Sequence, residues 1–83
     1  MAKPSPTHSG DPFLITLGLR IREIRKQLGM SQETLALVTE LDRSYVGGIE
    51  RGEHNFGVIT LNKICKALNV KPETIIQSNF NSV

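Results

Sequence analysis

An all-α fold of five short helices is what this sequence predicts, and three observations predict it. Apolar residues recur at helical spacing in each segment from about Asp11 to Ser78. The segments open on Asp, Ser, Thr or Pro and close on Gly or Asn, the residue types that satisfy helix ends. No alternating stretch is long enough to argue for a strand. The 83 residues, 39% of them hydrophobic with one Tyr, three Phe and no Trp, allow one domain around a single core of Leu, Ile and Val.

In the first helix Asp11 is placed to cap and Pro12 to occupy the first position, with the helix running to about Leu28, where Gly29 ends it. Leu17, Ile21, Ile24 and Leu28 form one stripe, predicted to face the core. Ser31 caps a second helix that ends near Thr39, with Gln32 and Glu33 at the positive end of its dipole and Leu35, Ala36 and Val38 pointing inward. Asp42 caps a third, carrying Tyr45, Val46 and Ile49 and closed by Gly52. After a polar link over 53–57, Thr60 is expected to cap a fourth helix with Leu61, Ile64, Cys65 and Leu68 on one face and Asn69 as its stop. Pro72 opens a fifth through Ile75 and Ile76 to about Ser78. Residues 1–10, rich in Pro, Ser and Thr, read as a flexible tail, 11–79 as the domain and 80–83 as a frayed end.

Composition narrows the function classes. The formal charge is only +2, but Arg20, Arg22, Arg25 and Lys26 are opposed locally by Glu23 alone, which predicts a positive patch near the first helix. Cys65 has no partner for a disulfide and sits in an apolar pattern, as an interior thiol in a reducing cytoplasm would. No run approaches the roughly 18 apolar residues of a membrane span, and the start lacks a signal-peptide core. His8 and His54 stand without partners at ligand spacing, so neither a metal nor another cofactor is expected. No Ser, His and acid set and no Gly-rich phosphate loop suggests an enzyme, and no segment suggests a small-molecule site.

From Ser31 to Gly52 the elements are helix, short turn and helix, the spacing of a helix-turn-helix, here taken as 31–51. With Tyr45, Val46 and Ile49 turned inward, the opposite face of the third helix holds Arg43, Gly47 and Arg51, with Ser44 and Gly48 to one side. Two adjacent helical glycines cost roughly 2 kcal/mol relative to alanines, an expense that close approach to a partner would offset. Such a face fits the major groove of double-stranded DNA. Arg43 matches the guanine O6 and N7 acceptors, while Ser44, Tyr45 and the backbone at Gly47 and Gly48 lie within reach of base edges. Gln32 at a helix N-terminus, Asn55 in the following link, and the cations Arg51 and Arg22 are the expected phosphate contacts. Glu50 is expected to form a structural ion pair, with Arg25 as the candidate partner.

The strings Ser31-Gln32-Glu33-Thr34-Leu35-Ala36 and Leu41 to Gly52, ending Ile-Glu-Arg-Gly, resemble the phage repressor and Cro type of helix-turn-helix. The resemblance covers about Phe13 to Gln77. It implies a lambda-repressor-like domain of five helices, whose third enters the major groove and whose dimers bind palindromic operators. The segment Leu41-Asp42-Arg43-Ser44-Tyr45 is most similar to the controller proteins of restriction-modification systems. By that similarity Arg43, Ser44 and Tyr45 contact bases and Gln32 a phosphate. The chain departs from the family at Glu40, where many members have Gly; a left-handed Glu there would cost of order 1 kcal/mol, so a differently bent turn is one expectation. It departs again at Gly47, where controller proteins more often carry Ser, and in its Pro-rich start.

Together these readings predict a homodimeric, sequence-specific transcription regulator, with Val70, Ile75, Ile76 and Phe80 as the dimer surface. An antitoxin-like or adaptor protein, with a protein as its main partner, is the alternative.

Overall fold

A computed structural model describes residues 10–76, and its helices start and stop where end-satisfying residues stand. They are α1 (Pro12–Gln27), α2 (Gln32–Thr39), α3 (Arg43–Glu50), α4 (Val58–Leu68) and α5 (Pro72–Ile76), with no strand among the described residues. The expected N-terminal tail to Ser9, the end of the fifth helix at Ser78, Phe80 and the 80–83 end lie outside the described residues.

The first four helices end alike. A residue in the left-handed region, Gly29, Glu40, Gly52 or Asn69, follows each helix. Its N–H donates to the carbonyl three residues back, and the next N–H reaches the carbonyl five back, as Met30 does to Arg25 at 3.0 Å and Leu41 to Ala36 at 2.9 Å. This closure satisfies carbonyls the helix leaves unpaired. The turn at Glu40, φ 62°, is therefore left-handed in spite of its side chain, and the expectation of a different bend is corrected.

The starts agree less uniformly. Asp11 accepts from the Phe13 N–H at 2.8 Å and Ser31 from the Thr34 N–H at 3.0 Å, as side-chain caps. Asp42 stands at the N-cap of α3 but makes no such bond; its carboxylate accepts from the Ser44 hydroxyl at 2.9 Å instead. Thr60 is no cap at all. The helix starts three residues earlier than that cap implies, after Gly57, so the β-branched pair Val58 and Ile59, which the sequence reading assigns to neither link nor helix, forms an exposed first turn.

The core joins all five helices through Leu17, Ile21, Leu35, Ala36, Val46, Ile49, Ile64, Cys65, Leu68 and Ile75. Two inward assignments shift. Leu28 is 53% exposed because it caps α1 beyond its last turn, and Leu14 is buried at the other end of the stripe. Val38 is 57% exposed, and Thr39 is buried in its place. The buried stripe of α2 advances from Leu35 and Ala36 to Thr39 one turn on, where the hydroxyl donates to the Leu35 carbonyl at 2.7 Å and loses nothing by burial. Ile75, expected at a dimer surface, is fully buried against α1 and α4 in the monomer core.

Two glycines set how α1 meets α3. A Cβ on Gly18 would run into the backbone carbonyls of Ile49 and Glu50, so the helices cross at a distance only hydrogen allows. Gly52, at φ 77°, has the Ile15 backbone 2.7 Å from where its Cβ would stand. That close crossing brings Arg25 on α1 opposite Glu50 on α3.

Candidate nucleic-acid interface

At the α1–α3 crossing lies an ion pair taken out of water. Arg25 Nε donates to Glu50 Oε2 at 2.6 Å and Nη2 to Oε1 at 3.0 Å, with residue exposures of 8% and 4%. The two-pronged geometry and a third bond, from Arg25 Nη1 to the Met30 carbonyl at 2.7 Å, use most of the donors burial would orphan. This is the pairing expected from the sequence. It also removes Arg25 from the expected positive patch of α1, leaving Arg22 and Lys26 exposed and Arg20 half-buried.

Gln32, at the start of α2, continues outward from that pair. Its Nε2 donates to Glu50 Oε1 at 2.9 Å and its Oε1 accepts from Arg43 Nη1 at 3.2 Å. The reversed amide would set oxygen against carboxylate and N–H against guanidinium, so the partners dictate this orientation. One N–H of the amide stays available to an anion. Arg43 and Ser44 are exposed at the N-terminal end of α3, and Tyr45 is half-buried.

Arg22, Gln32 and Arg51, three of the four expected phosphate contacts, line one cleft of about 410 Å³, floored by Ile15, Leu19 and Glu50. Asn55 lies apart, on an apolar groove with Phe13, Phe56, Val58 and Ile76. Arg51 is held by Glu53 through bonds of 2.8 and 3.1 Å. That hydrogen bond, then the attraction between the charges, raises the guanidinium pKa. The same bond chiefly holds the Glu53 carboxyl below its usual range, against burial, which raises it, and with lesser help from the Arg51 and His54 charges.

The two helical glycines are not bare. Both are buried. A Cβ on Gly47 would stand 3.1 Å from Arg51 Nη1 and 3.5 Å from Gln32 Oε1, and one on Gly48 would collide with the His54 ring. That ring lies beside Tyr45, centroids 4.9 Å apart at 33°. The outward face of α3 is thus partly covered by the loop that follows it. Residue spacing gave no signal for His54 or for Gln32 as a link, although paired glycines do announce close approach from some direction.

The helices and this site define the class of helix-turn-helix DNA-binding regulators, and the chain belongs to the helix-turn-helix family, which it matches over residues 21–75. Within it the chain is similar to restriction-modification control proteins. Control protein C.BamHI of Bacillus amyloliquefaciens is 40% identical over 63 residues, spanning 75% of this chain and 78% of that protein. The crystal structure of the restriction-modification controller protein C.AhdI from Aeromonas hydrophila shares 47% identity at a TM-score of 0.73, over 75% of this chain and 94% of that one. The C.Esp1396I controller, solved as a tetramer on its natural 35 base-pair operator, shares 35% identity at a TM-score of 0.74, over 82% of this chain and 90% of that one.

Proposed function

We propose that this chain binds a palindromic operator as a homodimer and regulates the transcription of restriction-modification genes. The observation that carries this reading is the placement of exposed Arg43 and Ser44 at the leading end of α3, beside a cleft lined by Arg22, Gln32 and Arg51. α3 lies in the major groove, where Arg43 takes a guanine edge, Ser44 and Tyr45 neighbouring base or backbone atoms, and the cleft a phosphate. Gly47 and Gly48 serve by what they admit, Gln32 and Arg51 over one and His54 over the other. Asn55 extends the phosphate contacts past α3. One such helix reads only a few base pairs, so a second copy is needed to specify a site. The half-buried Val70 and Ile76, at either end of the α5 region, form the dimer surface. The relative solved on its operator as a tetramer supports both the DNA and the self-association.

Sedimentation of the full 9.2 kDa chain tests the assembly. A mass that doubles with concentration, and two chains per symmetric duplex, are expected; a monomer at high micromolar concentration, or one chain per duplex, overturns the homodimer.

A further inference from the structure

Glu53 sits on Arg51 as a phosphate would. Its carboxylate oxygens accept from Nε at 2.8 Å and from Nη2 at 3.1 Å, the two-pronged arrangement in which a guanidinium also holds a phosphate. We infer that Glu53 is an internal competitor for the DNA backbone. It occupies the anion-binding edge of Arg51 in the free protein and must give that edge up before Arg51 can close on a phosphate, so it limits the affinity of the whole interface. The inference rests on the proposed reading of Arg51 as a phosphate contact and adds a residue that opposes binding.

The backbone sets the two residues in place. Gly52 closes α3 at φ 77°, its N–H donating to the Ile49 carbonyl at 3.0 Å and the Glu53 N–H to the Gly48 carbonyl at 2.9 Å, which fixes the chain from Arg51 to Glu53. Arg51 Nη1 lies 3.1 Å from where a Cβ on Gly47 would stand, so the guanidinium is drawn across the outward face of α3. Of the two cations that line the cleft, Arg22 makes no ion pair among the described residues, and Arg51 makes this one. The Arg51 and Glu53 side chains are 61% and 42% exposed, so water and salt weaken their attraction and a polyanion can displace it, unlike the buried Arg25–Glu50 pair beside it. Once displaced, the Glu53 carboxylate stands close to the phosphate that replaced it, a like-charge approach that lowers affinity on every sequence.

Competition for one guanidinium differs from the mere removal of a negative charge, because it acts through Arg51 alone. The full chain is titrated with its selected operator and with a duplex of unrelated sequence, as wild type, Glu53→Gln, Arg51→Ala, Arg22→Ala and Glu53→Gln combined with each arginine change. All three side chains lie at the surface, so the fold is retained. Glu53→Gln is expected to tighten binding about threefold or more on both duplexes, to do so equally beside Arg22→Ala, and to lose most of that gain where Arg51 is already Ala. A gain kept in full beside Arg51→Ala, or no gain on either duplex, overturns the inference. If Arg51→Ala fails to weaken binding even beside Glu53→Gln, the phosphate reading of Arg51 falls as well, and that double variant reveals it.

Discussion

Arg43 carries the sharpest consequence of any single side chain. Replacing it with Ala is expected to weaken operator binding by about 1–3 kcal/mol and relax preference at one base position, as measured by anisotropy on duplexes differing at one base pair. Glu40 bears a cost unrelated to DNA. At φ 62° it occupies a conformation that glycine adopts freely, so Glu40→Gly should stabilise the domain by a few tenths to about 1 kcal/mol, read as a higher melting temperature. Cys65 supplies a pH dependence. Burial, then the Glu73 charge, pushes its thiol pKa up, so the folded state favours the neutral thiol. Its contribution is complete below the unfolded thiol value of about 8.5 and is lost as pH rises through the folded value. Wild type should therefore lose stability above that pH more steeply than Cys65→Val, and the native thiol should resist alkylation at neutral pH. The burial of Cys65 was legible because it lies in a periodic apolar run. The left-handed Glu40 was not, because the preference of a residue type says nothing of what its neighbours impose.

Between elements, the crossing of α1 and α3 decides most. Arg25→Met should destabilise by about 3–5 kcal/mol, since it strands the Glu50 carboxylate in the interior, while the double change Arg25→Met with Glu50→Leu should recover much of that loss in a urea titration. Helix ends were readable to within a residue or two because the capping residues are themselves the mechanism; Gly29, Gly52 and Asn69 all stand where they were expected. Thr60 misled because a good cap residue lies inside a helix that in fact starts at the β-branched pair Val58 and Ile59, after a glycine with no side chain to cap it. Gly18 gave no warning, since a lone glycine does not disclose the backbone that passes above it. The paired glycines of α3 were read as facing outward because a helical wheel assumes one covered side. Here the core covers one side, and Gln32, Arg51 and His54 cover part of the other.

For the molecule as a whole, the helix-turn-helix and the exposure of Arg43 and Ser44 at the start of α3 were legible from Ser31 to Gly52, because helix spacing and the polar face of α3 are both local features. How the phosphate candidates group was not, since Arg22, Gln32 and Arg51 meet only through the tertiary crossing of three helices. A cleft lined by the cations Arg22 and Arg51 predicts binding that weakens linearly, on logarithmic scales, as salt rises. The most direct test of the central claim is selection of bound duplexes from a random pool by the full chain at physiological salt. Enrichment of a palindrome, lost with Arg43→Ala at one position in each half-site, is the predicted result. Recovery of no common sequence, with binding uniform across duplexes or absent, would contradict it.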